Sequence, residues 1–182
     1  MSESFLLGIS GSLRAGSFNT KLVHEAKRQF NPDRFEFANL RLPLYDGDLE
    51  EAEGIPPEVQ TLADQIAAAD AVVISGPEYN KSVSGVLKNA LDWVSRTEGN
   101  PWASKPVAIM SATGGRAGGE RTQFALRHCM TPFRPHLLYG PEVLVGQTSQ
   151  QFDEDGNLTN EINMKALKSL MEDLRKAAGL PV

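Results

Sequence analysis

The chain has 182 residues, 41% hydrophobic and 23% charged, with a net charge of −5. That balance suits one globular domain with a substantial core and argues against nucleic acid, whose binding needs clustered Lys and Arg. No apolar run approaches the ~18 residues of a membrane span, the opening residues show no basic-then-apolar secretory pattern, and the single cysteine, Cys129, excludes an intrachain disulfide; a cytoplasmic location is expected.

Phe5–Ser10 is a short apolar run leading into Gly-rich sequence and reads as the first strand. Asn19–Phe30 places Leu22, Val23, Ala26 and Phe30 at helical spacing. Phe35–Leu40 alternates apolar and polar residues and reads as the second strand. Pro57–Ala69 carries Val59, Leu62, Ala63 and Ile66 on one face, with Pro57 suited to a first helical turn. Ala71–Ser75 is β-branched and apolar, as a central parallel strand covered on both faces must be. Ser84–Ser95 reads as a helix, Pro106–Ala112 as a buried strand and Gly119–Cys129 as a helix. Pro135–Val145 holds a fifth strand with an interruption at Gly140-Pro141, and Thr159–Ala178 closes the chain as an amphipathic helix. No repeat or linker divides residues 1–182, so they are read as a single domain. Strands alternating with crossover helices predict a parallel α/β sheet with helices on both faces. A ligand in such a sheet binds beyond the carboxyl ends of the strands.

Three loops lie at those ends. Gly11–Thr20 joins the first strand to a helix N-terminus, whose unpaired N–H groups and partial positive charge attract anions. Ser12, Ser17, Asn19 and Thr20 offer hydrogen bonds and Arg14 offers charge, so a phosphate suits this loop. It lacks the Lys-Ser/Thr of a P-loop and the G-x-G-x-x-G of a dinucleotide turn; a helix simply capped by Ser17 or Asn19 is the plainer alternative. Gly76–Gly85 follows the third strand. There Pro77 stiffens a backbone edge, Tyr79 supplies a face or a hydroxyl and Asn80 donates and accepts, as a flat heteroaromatic ring requires. Ordinary turn chemistry would also account for Pro77 and Asn80. Ser111–Gly119 contains four glycines, which suit close approach to a ligand or loop mobility.

At these residues the chain resembles the NADPH-dependent FMN reductases. The resemblance rests on Gly11-Ser12-Leu13-Arg14, Ser17 and Asn19, on Gly76-Pro77-Glu78-Tyr79-Asn80, and on Leu87-Lys88-Asn89-Ala90-Leu91-Asp92-Trp93. It implies a flavodoxin-like, doubly wound, five-stranded parallel sheet of order 2-1-3-4-5. It further implies FMN as cofactor and NADPH or NADH as donor, with hydride passed to quinones, flavins, chromate or ferric complexes in ping-pong turnover. Ser12, Arg14, Ser17, Phe18, Asn19 and Thr20 would hold the phosphate. Pro77, Glu78, Tyr79 and Asn80 would line the isoalloxazine, with Thr113, Gly114 and Gly115 on its other rim. Relatives assemble as homodimers or homotetramers. Arg121 and Glu142 match positions that help tetramer contacts, whereas Phe124 stands where some relatives carry Tyr, and Lys81 stands where many carry an aromatic residue.

The rival reading is an FMN-binding electron carrier or signalling module without NAD(P)H turnover, although the reductase-like segment at Leu87–Trp93 and the modest acidity favour the enzyme. A serine hydrolase is set lower, because Gly8-Ile9-Ser10-Gly11-Ser12 lacks the second Gly of a nucleophile elbow. No His, Cys or carboxylate cluster has metal-ligand spacing. The acidic stretch Asp46–Glu53 is expected to be a solvated loop. Trp93 is expected to pack a helix on the sheet, Trp102 to anchor an interface or cover the flavin, and Arg116 to meet a 2′-phosphate or simply face solvent.

Overall fold

The computed structural model describes residues 3–182. β1 (Phe5–Ser10) leads to α1 (Phe18–Phe30), β2 (Arg34–Phe37), α2 (Gly47–Glu53), α3 (Pro57–Ala68) and β3 (Ala71–Ser75). Then follow α4 (Gly85–Val94), β4 (Pro106–Ala112), α5 (Glu120–Met130), β5 (His136–Leu137), β6 (Val143–Val145) and α6 (Glu161–Ala177). Every ladder is parallel, and the order is β2-β1-β3-β4-β5 with β6 also paired to β4. This is the flavodoxin-like arrangement that the family resemblance implies.

The two-residue period of the strands builds two layers. Leu7, Ile9, Val72, Ile74, Val107 and Ile109 share one core with Leu62, Leu87, Leu91 and Leu126 of α3, α4 and α5. Leu6, Val73, Ala108 and Met110 share the other with Leu22, Val23 and Phe30 of α1 and Leu167, Leu170 and Leu174 of α6. Gly8 is what lets α1 lie so close to β1. A Cβ there would sit 2.5 Å from Val23 Cγ1 and 2.9 Å from the Phe35 ring.

The structure departs from the sequence-based expectation at four places. The expected fifth strand is two short ones on the same edge of β4, β5 beside Pro106–Val107 and β6 beside Met110–Ala112. Pro141 between them lacks the N–H a ladder needs. The second strand is shorter than residues 35–40: pairing with β1 stops at Phe37, and Ala38 and Leu40 are buried without a ladder. The acidic stretch is a helix rather than a loop. Asp46 caps α2 by accepting the Asp48 N–H at 2.9 Å, and Asp48 and Glu50 sit in the first turn, where the helix dipole favours negative charge. None of α2 is buried; Glu50 pins it beside the end of α4 through Arg96 at 2.9 Å and the Tyr45 hydroxyl at 3.1 Å. Trp102 is 2% exposed and belongs to the core under α3, α4 and α5, so it is neither a lid nor an interface anchor. Trp93 packs as expected, and its indole N–H donates to Pro43 O at 2.8 Å.

The start of β1 is tied to the turn before β2 by Asp33. Its carboxylate accepts both the N–H and the hydroxyl of Ser4 at 2.8 Å, and these bonds hold its pKa below the ordinary carboxylate value. A carboxyl whose folded pKa is lowered stabilises the fold above its unfolded pKa of about 4, and that contribution disappears as the pH falls. Acid unfolding of Asp33→Asn, followed by far-UV circular dichroism, should therefore show a shallower pH dependence below about pH 5 than the wild-type chain.

Candidate functional site

The loops after β1, β3 and β4 meet over the carboxyl ends of these strands. They enclose a cleft of about 290 Å³, lined by Ser12, Arg14, Gly16, Ser17, Phe18 and Asn19, by Pro77, Glu78 and Tyr79, and by Ala112, Thr113, Gly114 and Thr148. Convergence of these three loops follows from topology, since β1, β3 and β4 are neighbours and all end on the same side.

One side chain joins the three loops. Asn19, at the start of α1 and 4% exposed, donates its amide to Ala112 O at 2.9 Å. Its Oδ1 accepts the Ser75 hydroxyl at 2.8 Å and the Ala112 N–H at 3.0 Å. A second tie runs from the Ser84 hydroxyl to Gly11 O at 2.6 Å. Gly11 packs tightly here, because a Cβ on it would lie 3.0 Å from Ser84 Oγ and 3.1 Å from Pro77 Cδ.

The α1 end of the cleft has the chemistry of an anion cradle. Ser17 caps the helix by accepting the Thr20 N–H at 3.2 Å. The N–H groups of Phe18 and Asn19, one turn too early for an intrahelical acceptor, have no partner among the described residues. The first turn contains no acidic residue, so the helix dipole is unopposed. Arg14 is exposed at the rim, and no carboxylate of the described residues pairs with it.

The opposite end is a backbone edge. Pro77 is buried. Tyr79 and Ser82 exchange backbone hydrogen bonds at 3.1 Å around Asn80 and Lys81, both with positive φ, which makes a type I′ turn. The Glu78 carboxylate is taken up elsewhere: it accepts the Arg121 N–H at 3.1 Å and so caps α5, whose own N-cap is Gly119. The glycines of the third loop divide by role. Gly118 and Gly119 have φ of +66 and +89, and a Cβ on them would lie 2.6 Å from Leu144 C and 2.8 Å from Ser111 Cβ. Gly114 and Gly115 face open space.

Thr20, Asn80 and Gly115 are not in the cleft wall. Thr20 spends its N–H on Ser17 and its hydroxyl on Ser10 at 3.1 Å, Asn80 sits in the exposed turn, and the Gly115 carbonyl accepts the Gln147 N–H at 3.1 Å. Gly16, Ala112 and Thr148 line the cleft without having been singled out as site residues. Gly16 and Ala112 lie within loops the sequence had marked. Thr148 comes from the short helix after β6; the sequence reading ends the fifth strand at Val145 but weighs only the loops after the first, third and fourth strands, so the loop that carries Thr148 is passed over.

Asn19→Ala would leave the Ser75 hydroxyl and both backbone groups of Ala112 without their partner. A loss of about 3 kcal/mol in stability is expected, on the scale of 1–3 kcal/mol for each buried polar group orphaned, and urea melts measure it.

The comparisons with known proteins agree with this geometry. The family described as NADPH-dependent FMN reductase matches residues 5–150. An NAD(P)H-dependent FMN reductase of Pseudomonas aeruginosa is 40% identical over 172 residues, covering 93% of this chain and 92% of the relative. A quinone reductase of Escherichia coli is 41% identical over 158 residues, 84% of each chain. Among solved structures, the flavoenzyme NAD(P)H:(acceptor) oxidoreductase of Paracoccus denitrificans superposes with a TM-score of 0.85 at 30% identity, covering 97% of both chains. On the strength of that match, which takes in all three loops of the cleft, the chain belongs to the NADPH-dependent FMN reductase family.

Proposed function

We propose that the cleft holds FMN and that the protein is an NAD(P)H-dependent reductase of small acceptors, quinones first among them. The observation that carries this reading is the anion cradle at one end of a cleft whose other end is a stiff backbone edge. The donor set fits a flat, singly phosphorylated ring. The free N–H groups of Phe18 and Asn19, the hydroxyls of Ser12 and Ser17 and the unpaired Arg14 suit the phosphate. The buried Pro77 and the backbone of Glu78 and Tyr79 suit one rim of the ring, and Thr113 and Gly114 the other. Thr20, Asn80 and Gly115 support these contacts from just outside the wall. Bound there, FMN supplies two-electron hydride chemistry that no protein side chain offers.

The chain's own tasks are then to bind, orient and leave access. Asn19 fixes the loops without spending its own side chain on the ligand. Tyr79, 48% exposed, and Gly114, with open space around it, leave the rim reachable from solvent. Donor and acceptor use that rim in turn, so ping-pong kinetics are expected, with quinones, free flavins, chromate and ferric complexes all admissible where flatness and potential allow. Cytoplasmic action belongs to this reading and rests on the single cysteine. So does a homodimer or homotetramer: Phe124 is 79% and Tyr139 87% exposed beside Arg121 and Glu142, an apolar patch with both charge signs that suits a second copy. A monomer by light scattering would remove the assembly from this proposal.

Purified protein should show flavin absorbance or acquire it on adding FMN, and should oxidise NAD(P)H in the presence of a quinone. A colourless protein that takes up no FMN would end the cofactor assignment, and FMN uptake without steady-state NAD(P)H oxidation would leave an electron carrier instead. Arg14→Ala should weaken FMN binding by about 1–3 kcal/mol, as for a charge-assisted bond; fluorescence titration measures it, and unchanged affinity would place the phosphate on the backbone N–H groups alone.

A further inference from the structure

A second cavity, of about 410 Å³, adjoins the cleft and shares Ser12, Arg14 and Tyr79 with it. Its remaining wall includes Leu13, Arg41 and the first turn of α4 at Gly85 and Val86. Two arginines and no acidic residue line it. Arg41 spends one N–H on Leu13 O at 3.2 Å and has no carboxylate partner among the described residues. The α4 terminus adds charge of the same sign. Its first turn has no acidic residue, and Ser84 gives it no side-chain cap because the hydroxyl is committed to Gly11. Against these cations stand the apolar surfaces of Leu13, 37% exposed, and Tyr79, 48% exposed. Uncompensated guanidiniums beside exposed apolar surface match a flat base that carries phosphate.

We propose that this cavity takes the adenylate half of NADPH, with Arg41 on its 2′-phosphate, so that Arg41 sets a preference for NADPH over NADH. The assignment rests on the reading of the adjoining cleft as the flavin site, which brings the nicotinamide half of the donor next to the shared wall. Nucleotide sites separate the two donors by an acid on the ribose 2′-hydroxyl for NADH or an Arg on the 2′-phosphate for NADPH, and this wall has the Arg without the acid. Arg116 is exposed and lines neither cavity, so it does not compete for the role.

The decisive variant is Arg41→Gln, which keeps a donor for the Leu13 carbonyl and removes the charge. Calorimetric titration of 2′,5′-ADP and of 5′-AMP is carried out on the wild type and the variant, each with FMN and stripped of it. The wild type should bind 2′,5′-ADP about tenfold or more tighter than 5′-AMP, a difference of about 1.4 kcal/mol, and the variant should lose that difference. The KM for NADPH should rise by about the same factor while the KM for NADH stays, and FMN uptake should match the wild type. Equal weakening of both probes, with both KM values rising together, would overturn the 2′-phosphate assignment. Unchanged binding of both probes would overturn the cavity itself. Failure of the wild type to take up FMN would overturn the flavin reading separately, since the titrations on FMN-free protein still decide whether adenylate binds here through Arg41.

Discussion

The cleft depends on the Asn19 side chain. Its amide and carbonyl reach from the first turn of α1 to Ser75 and Ala112, the last residues of β3 and β4. Strand ends in a parallel sheet would otherwise present unpaired polar groups to each other, and three loops of different length would have no common register. A single buried amide satisfies a hydroxyl, an N–H and a carbonyl at once. It also holds the start of α1 beside the two central strands, so the first turn of α1 and the Pro77–Tyr79 edge line one cleft.

The same economy governs the rest of the site. Residues that look chemical in isolation are often spent on architecture. Glu78 caps α5, Thr20 bonds Ser10, and Gly118 and Gly119 make room for Leu144 and Ser111. Among the described residues the first N–H groups of α1 stay without a partner, Arg14 and Arg41 have no carboxylate partner, and the rim at Tyr79 and Gly114 stays open. A flavin protein of this kind needs no acid–base pair, because the cofactor does the chemistry and the chain supplies binding, orientation and access.

The core strands were legible because each is apolar, short and bounded by turn residues: β1, β3 and β4 fall where the sequence puts them, and α1, α3, α4, α5 and α6 differ by one or two residues. Elements at the edge of the sheet were harder. β5 and β6 lie either side of Gly140-Pro141 where the sequence suggests one interrupted strand, and pairing to different halves of β4 makes them two. The α2 segment looks solvated by composition, and it is solvated. Its helicity comes from the Asp46 cap and from Glu50 gripping Arg96, a residue 46 positions away. Trp102 reads from its Asn100-Pro101-Trp102 context as an interface anchor or a flavin lid, and is instead part of the core shared with α3, α4 and α5.

The sequence by itself determined the alternation of strands and helices, the parallel sheet it implies, the three loops at its ligand-binding end and the family they resemble. Those follow from local periodicity, glycine placement and helix-start chemistry, which need no knowledge of distant contacts. Tertiary structure alone decided which polar side chains in those loops remain free. Asn19, Glu78 and Thr20 find partners up to 93 residues away, whereas Arg14 and Arg41 line one cavity whose wall holds no acidic residue. A side chain's availability depends on every neighbour that could claim its hydrogen bonds, and only the folded chain brings those neighbours together.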